Sequence, residues 1–222
     1  MRWWPVRAGA LGAVAVAGAV VLGACGGAKY EYVSNSSEQL YFKVPRGWEL
    51  YRFTDSDAEG RLVGLPESFE QVWRVGFDAA DEPDPSNVAQ LDAVPPDTLE
   101  QPVGQARVFA VNSAAARDGL SLAAARELAL GFDPLNAPDD LSNLVEVVDF
   151  LSLDERNGVQ GSRVVFNVRN SVDDPWQTMD VTTMYDVTKA RLYMFTVACS
   201  ASCFEQNQNS IFDVTTSWKV EP

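Results

Sequence analysis

Histidine is absent from the 222-residue sequence, and this absence excludes several classes of site. Catalytic triads that use His, His-ligated metal centres and His pH switches all need the missing imidazole. The sequence also lacks a G-x-S-x-G elbow, an S-x-x-K motif, a P-loop and a G-x-G-x-x-G motif. Carboxylates are plentiful, so a hydrolase with an Asp/Glu pair stays an alternative, although no spacing selects a pair. We expect a binding protein without a cofactor ahead of an enzyme.

Basic residues are scarce, with 17 Lys and Arg against 31 Asp and Glu and a net charge of −14. No basic patch offers the phosphate contacts that nucleic acids require, so we expect no nucleic-acid partner. Between Arg74 and Arg107 there is no basic residue at all, whereas five prolines and seven acidic residues fall there. Because proline disfavours regular helices and central strands, this stretch is predicted to be a long exposed excursion.

Four acidic residues of this stretch are candidate calcium ligands: Asp78, Asp81, Glu82 and Asp84. Close carboxylate oxygens suit that hard cation. The cluster lacks the alternating Asp/Asn ligands and the mid-loop Gly of an EF-hand, and two prolines restrict how its carboxylates converge. A solvated acidic loop without a metal is therefore the prediction, with these residues as the alternative.

Long apolar runs are also missing, except for the uncharged Ala8–Leu22, which follows Arg2 and Arg7. The run is shorter than the roughly 20 residues needed to span a bilayer and has the length of a signal-peptide apolar region. Leu22, Gly23, Ala24 and Cys25 follow in the order of a bacterial lipobox, which they resemble. The resemblance implies cleavage between Ala24 and Cys25 and a diacylglyceryl group on the Cys25 thiol. An ordinary secretory signal followed by a chance Cys is the alternative.

The predicted organisation follows from that cleavage. Residues 1–24 are the lipoprotein signal peptide, and their removal leaves 198 residues with a net charge of −16, since Arg2 and Arg7 are lost. Residues 25–37 are small and polar and predict a flexible tether. In the alternative, Tyr30, Tyr32 and Val33 alternate as an edge strand. Residues 38–222 are predicted to be a single α+β domain, held by the lipid bilayer on the extracytoplasmic face of the cell membrane.

Cysteine is limited to three residues, and Cys199 and Cys203 remain once Cys25 is lipidated. Their C-x-x-x-C spacing differs from the redox-active C-x-x-C. In an oxidising compartment the pair predicts a structural disulfide between a strand end and a helix start. A redox or thiol–metal role is the alternative.

Strand patterns dominate the rest of the chain. Leu40–Val44 and Trp48–Phe53 flank Pro-Arg-Gly and predict a β-hairpin. Four later segments predict an antiparallel meander with a helix packed on it, an α+β layer arrangement. The segments are Val145–Leu153, Val159–Val168, a half-buried strand from Met179 to Val187, and an apolar Leu192–Ala198. Two helices are predicted: Leu122–Leu130 between Ser121 and Gly131, and one whose apolar face carries Phe204, Gln208, Ile211, Phe212, Thr215 and Trp218.

Two of these features resemble the PsbP-like fold family. One is Phe42-Lys43-Val44-Pro45-Arg46-Gly47-Trp48, similar to an F-x-V-P-x-G-W motif of that family, and the other is the final strand, short loop and amphipathic helix. The resemblance implies an α/β/α sandwich around an antiparallel β-sheet flanked by helices. It implies no shared chemistry, since members of the family mostly bind or stabilise other proteins.

The sequence thus leads to three functional hypotheses. The first is a membrane-anchored, non-catalytic binding or assembly module for an unknown cell-envelope protein. The second is a lipoprotein that binds a small ligand, and the third is a carboxylate-dependent envelope hydrolase.

Overall fold

A computed structural model describes residues 28–53, 65–92 and 99–221. Within these ranges the chain forms ten β-strands and four α-helices. The strands are β1 (Tyr30–Asn35), β2 (Leu40–Pro45), β3 (Glu49–Arg52), β4 (Phe69–Asp78), β5 (Val103–Val111), β6 (Val145–Arg156), β7 (Val159–Val168), β8 (Gln177–Asp186), β9 (Arg191–Ser200) and β10 (Lys219–Val220). The helices are α1 (Pro85–Ala89), α2 (Ala114–Gly119), α3 (Leu122–Leu130) and α4 (Ala201–Thr215).

The strands form two antiparallel sheets. The small sheet has the order β1-β2-β10, and the large sheet has the order β3-β4-β5-β9-β8-β7-β6. Strands β6 to β9 lie side by side in chain order, which confirms the predicted meander. Its first turn is Asn157-Gly158, with φ of 53° and 77°. Such left-handed conformations match the twist of a tight hairpin and are most accessible to Asn and Gly.

Both faces of the large sheet are covered, which gives the predicted α/β/α sandwich. Leu192 and Met194 of β9 pack with residues of α2 and α3, and we call this side the α3 face. Phe195 and Val197 alternate with them and point to the other side, where α4 and the small sheet pack, which we call the α4 face. Because both faces are buried, β9 is apolar on both sides, as predicted for a central covered strand.

Four aromatic rings join the small sheet to the α4 face: Phe42, Phe77, Phe195 and Trp218. The Phe42 centroid lies 5.1 Å from that of Phe195 and 5.7 Å from that of Trp218. Phe195 lies 5.9 Å from Phe77 and 5.0 Å from Trp218. A Cβ at Gly104 would overlap the Phe77 ring, so glycine permits this close packing. Edge-on and tilted aromatic pairs at these distances add to the stabilisation from burial.

The predicted hairpin between Leu40 and Phe53 is wrong. The two strands are present, but β2 pairs with β1 and β10, whereas β3 pairs with β4. The turn after Pro45, closed by a Trp48 N–H bond to the Pro45 carbonyl, carries the chain from the small sheet to the large one. Strand β2 pairs with the preceding strand β1 and with the distant β10, and β3 pairs with β4, so the turn residues between β2 and β3 do not reveal the partner of either strand.

The predicted tether over 25–37 is replaced by a strand over six of its residues. Strand β1 pairs with β2 along its whole length, from Tyr30 opposite Pro45 to Asn35 opposite Leu40. Val33 is fully buried. The Tyr30 hydroxyl donates a hydrogen bond to the Asp213 carboxylate of α4, and the Lys43 ammonium lies 4.3 Å from the centre of the Tyr30 ring. The edge-strand alternative is therefore correct, and the folded part begins before residue 38.

The predicted exposed excursion after β4 contains a short helix. Asp84 caps α1 by accepting a 2.7 Å hydrogen bond from the Ser86 N–H, and Pro85 occupies the first helical turn, where proline is tolerated. Val88 is fully buried, and Leu91 and Leu99 are almost so. The prediction of a wholly exposed, non-helical stretch is thus wrong where these apolar side chains reach the core.

Helix α3 matches its prediction at both ends. The Ser121 side chain accepts a 3.1 Å hydrogen bond from the Ala124 N–H, and Gly131 closes the helix in the left-handed conformation with φ of 78°. Strand β8, predicted half-buried, is instead buried on both faces, because α3 and α4 pack on its two sides.

Helix α4 differs from its prediction in the direction of its buried face. Ile211, Thr215 and the following Trp218 are buried as predicted, and Val214 joins them, whereas Phe212 is exposed. The helix packs on β8 and β9, near the middle of the large sheet, and on β2 of the small sheet. One flank therefore faces the outer strands without touching them closely, and a groove opens there.

Candidate functional site

The site residues predicted from the sequence belong to three groups: the cleavage and lipidation site, the disulfide and the candidate calcium ligands. Ala24 and Cys25, the predicted cleavage and lipidation positions, lie outside the described residues. Within the described ranges no helix has the length and apolarity needed to cross a membrane.

The predicted disulfide is present. Cys199 at the end of β9 bonds Cys203 in the first turn of α4, with the two Cα atoms 5.9 Å apart. Ser200 caps the same helix by accepting a 3.2 Å hydrogen bond from the Cys203 N–H. The disulfide and the cap together fix the start of α4 against the sheet, so they also set the position of the groove.

Two of the candidate calcium ligands, Asp78 and Asp84, accept hydrogen bonds that stabilise the local fold. Asp78 is fully buried and accepts hydrogen bonds from the Ala80 N–H, the Asp84 N–H and the Asn87 side-chain amide, at 2.8–3.0 Å. Asp84 caps α1, and hydrogen bonding to Ser86 lowers the pKa of its carboxyl. Asp81 and Glu82 are exposed. The described ranges contain no group of three His, Cys, Asp or Glu side chains arranged to hold a metal ion.

A groove of about 440 Å³ lies on the α4 face, between α4 and the outer strands β6 and β7. Its apolar lining comes from both sides: Val148, Val165, Phe204, Ile211 and Phe212. Its size falls in the range of roughly 300–1,000 Å³ that is usual for ligand-binding clefts. The groove is open to solvent and suits an elongated occupant.

The polar lining of this groove includes Arg163, which forms an ion pair with a buried carboxylate beneath it. Arg163 of β7 donates two hydrogen bonds to Asp180 of β8, from Nε to Oδ1 at 2.8 Å and from Nη2 to Oδ2 at 2.6 Å. The Asp180 side chain is fully buried, whereas Arg163 lines the groove and its guanidinium lies 5.8 Å from the centre of the Phe212 ring. Two-point pairs of this kind are strong and directional.

The environment of the pair shifts both pKa values. The hydrogen bond to Asp180 raises the pKa of Arg163. Burial raises the pKa of Asp180, and the hydrogen bonds from Arg163 oppose that rise by stabilising the carboxylate. Since both Asp180 oxygens accept from Arg163, this carboxyl is engaged in structure and does not face the groove as a proton donor.

Strand β6 forms the outer wall of the groove and one edge of the large sheet. It is 12 residues long, and within the described part of the chain it pairs with β7 alone. Four of its large apolar side chains are 41–58 % exposed: Val147, Val148, Phe150 and Leu151. Exposed apolar edges of this length are uncommon, because they invite pairing with another chain.

The far end of β6 borders a second groove, of about 580 Å³, on the same face. Residues 152–156 line it from β6, and Trp218 and Val220 line it from the region of β10. Strand β6 thus runs beside both grooves, and the open surface extends along its length.

The sequence pattern does not reveal this surface. It predicts β6 as a strand but not as the sheet edge, and it does not single out Arg163 or Asp180. One signal was available: Val147-Val148 and Phe150-Leu151 are adjacent apolar pairs, which break the alternation expected of a strand with one wet face. Such pairs place apolar side chains on both sides of the strand.

Comparison with known proteins found no matching family model and no matching curated protein. Several solved structures are similar. Cyanobacterial PsbP (CyanoP) from Synechocystis sp. PCC 6803 is 15% identical, with a TM-score of 0.43, covering 90% of this chain and 98% of that chain. The Ran-binding protein Mog1p of Saccharomyces cerevisiae is 8% identical, with a TM-score of 0.41, covering 86% and 95%.

A third similar structure is LpqN, involved in cell envelope biogenesis of Mycobacterium tuberculosis. It is 11% identical, with a TM-score of 0.40, covering 79% of this chain and 92% of that chain. These are likenesses of fold alone. The α+β class, with an antiparallel sheet flanked by helices, rests on the strand pairings of the chain itself.

Proposed function

We propose that this chain is a membrane-anchored, extracytoplasmic binding module that holds a cell-envelope protein along β6 and the adjoining groove. One observation carries the proposal: four large apolar side chains of the edge strand β6 are 41–58 % exposed, and one of them, Val148, lines the groove together with Phe212 of α4. Apolar patches of this kind on a soluble domain mark interaction sites.

The anchoring part of the proposal rests on the sequence from Leu22 to Cys25. Two acyl chains on Cys25 hold a protein stably at a bilayer, where one chain binds marginally. A Cys25→Ser variant is expected to leave the membrane fraction, as followed by fractionation and intact mass. Retention of that variant in the membrane would contradict lipid anchoring, but it would leave the proposal for the groove unaffected.

The non-catalytic part rests on how the groove's charges are used. Asp180 is buried in its pair with Arg163, and Asp149 accepts a hydrogen bond from the Phe150 N–H at 2.9 Å. These two carboxylates of the strands are thus engaged in local structure. The other polar side chains of the lining, such as Asn167, Glu205 and Gln208, can contribute to binding by hydrogen bonds beside the apolar contacts.

Site-specific photo-crosslinking in the intact envelope tests the binding surface. A photoreactive residue replaces Val148 or Phe212 in the groove, and the control positions are Val172 and Val187, which are as exposed but lie elsewhere. We expect the two groove positions to give a shared, discrete crosslinked band that the controls lack. Equal labelling at all four positions, or none at the groove, would contradict the proposal.

The size of the groove also favours a second candidate, a small-ligand-binding lipoprotein. The lining combines apolar side chains with Arg163, Asn167 and Gln208 and with two carboxylates, so it suits a small ligand that has both apolar and hydrogen-bonding groups. A thermal-shift screen against lipids, sugars, peptides and metals separates the two functions. A rise in melting temperature that Phe212→Glu abolishes, together with an absent protein crosslink, would favour the small ligand.

A further inference from the structure

The backbone of β6 is the distinctive feature of the proposed surface. In a strand order that ends at β6, the side of the strand away from β7 carries N–H and C=O groups that the described residues do not pair in a ladder. The register with β7 shifts between Val147 and Asp149 and again between Leu153 and Arg156, and it is regular over the five residues from Asp149 to Leu153. This regular segment is the part of the edge that a further strand can extend. Edges of this type are templates for strand addition.

Side chains on both faces of β6 would flank an added strand. Register places Val147 and Phe150 opposite Phe166 and Val164, on the α3 face, and Leu151 opposite Arg163, on the α4 face. Val148, at a bulge in the register, lines the groove. An added strand would therefore meet exposed apolar side chains on whichever face its own apolar residues take.

The acidic charge of β6 favours one kind of binding partner over others. The strand carries Glu146, Asp149, Asp154 and Glu155 against a single basic residue, Arg156, and all five are exposed. A second copy would bring another four carboxylates and only one guanidinium beside these, so both strands of such a pair would be negatively charged. Like charges directly opposite destabilise a strand pair, whereas opposite charges stabilise it.

We propose that β6 takes an extended segment of a partner protein as an eighth strand of the large sheet, and that this segment alternates apolar with basic residues. The inference rests on the proposed function and adds the chemistry of the partner. Main-chain hydrogen bonds along β6 supply affinity, and the acidic side chains select the basic segment over a second copy of this chain.

Three nine-residue peptides test the inference with the purified mature protein. The first alternates Val and Lys, the second alternates Val and Glu, and the third repeats the first with alternate backbone amides N-methylated. N-methylation keeps charge and apolarity but removes the donors of a strand ladder. Fluorescence polarisation measures affinity, and hydrogen exchange measures protection of the β6 amides against those of β3.

We expect the Val/Lys peptide to bind and to slow exchange in β6 but not in β3. The Val/Glu and N-methylated peptides should each bind at least about tenfold more weakly, a difference of about 1.4 kcal/mol. In a Glu146→Lys/Glu155→Lys variant, whose unchanged melting temperature serves as the folding control, the preference between the Lys and Glu peptides should reverse.

Two results would overturn the inference. One is equal binding of the N-methylated peptide with unchanged β6 exchange, which would reduce the effect to attraction between opposite charges. The other is concentration-dependent dimerisation with β6 protected, which would make a second copy the occupant. If crosslinks from Val148 and Phe212 persist while the peptides fail, the binding function stands and only the mode of strand addition is lost.

Discussion

The two edges of the large sheet are built in opposite ways. Strand β3 has four residues, and its apolar Leu50 and Tyr51 pack against the core. Strand β6 has 12 residues, and four of its large apolar side chains are open to water. Natural sheets normally shorten or cover their edges to prevent pairing with other chains. This difference is the basis of the proposal that β6, and not β3, receives a partner.

The α4 face shows the same contrast across its width. Over β5 and β9 it is sealed by the small sheet and the four-ring aromatic cluster. Over β6 and β7 it opens into the groove beside α4. If the sealed part serves stability and the open part serves binding, substitutions in the sealed part should lower the free energy of unfolding. Substitutions in the open part should instead weaken binding.

The largest effect is expected from Phe195→Ala in the sealed part. Phe195 is fully buried between Phe42, Phe77 and Trp218, so its loss should lower the free energy of unfolding by about 3–5 kcal/mol. The matched control, Phe150→Ala on β6, should lower it by less than about 1 kcal/mol. Urea denaturation of both variants measures the difference, and similar losses in the two would remove the contrast.

A second pair of variants compares a buried with an exposed ion pair. Asp180→Asn leaves Arg163 without its carboxylate and should cost roughly 3 kcal/mol, the low end for a buried pair because Arg163 borders the groove. Glu38→Gln, which breaks the 2.9 Å pair with the more exposed Arg191, should cost at most about 1 kcal/mol. Denaturation midpoints check both values, and an Asp180→Asn variant as stable as the parent would contradict the role given to the pair.

The next largest loss of stability is expected from removing the disulfide. It closes a loop of only a few residues between β9 and α4, so its removal in a Cys199→Ser/Cys203→Ser variant should cost about 2 kcal/mol. Since the bond fixes the start of α4, the variant should also loosen the groove. Relative to the parent protein, hydrogen exchange in the variant should become faster in the first turn of α4 but not in α3. An equal change in the two helices, or none, would contradict this expectation.

The smallest effect concerns pH on the α3 face. Burial raises the pKa of Asp133, but hydrogen bonds from Arg126, Asn136 and the Leu135 N–H outweigh it, so the pKa lies below its ordinary value. A depressed folded-state pKa contributes stability above the unfolded-state value near 4, and this contribution is lost as the pH falls through the folded pKa. Acid titration of stability should therefore be flatter below pH 4 in Asp133→Asn than in the parent. Parallel curves would contradict the assignment.

Local signals made much of the fold predictable. Helix α3 follows from Ser121 and Gly131, the β6–β7 hairpin follows from Asn157-Gly158, and the disulfide follows from two nearby cysteines. Each needs only residues that are close in the sequence. The predicted hairpin at Leu40–Phe53 was wrong because β2 pairs with the preceding β1 and with β10, while β3 pairs with β4 in the other sheet. A turn sequence alone does not tell which of the neighbouring strands pair.

The candidate site was less predictable for a related reason. The Val147-Val148 and Phe150-Leu151 pairs indicate a strand with two apolar faces, which a buried central strand shows as well. Whether such a strand is central or terminal depends on the order of the whole sheet. The exposed position of Phe212 depends likewise on the rotation of α4 against β2 and β9, which helical periodicity alone does not determine.

Hydrogen exchange of the two sheet edges tests the central claim most directly. The protein is compared in envelope membranes of the source organism and after purification from them, with β6 and β3 followed in the same digest. The account predicts that the β6 amides exchange about tenfold or more slowly in the envelope, since a bound strand pairs them, whereas the β3 amides are unchanged. Equal exchange of β6 in the two states would contradict the claim that this edge is the binding surface.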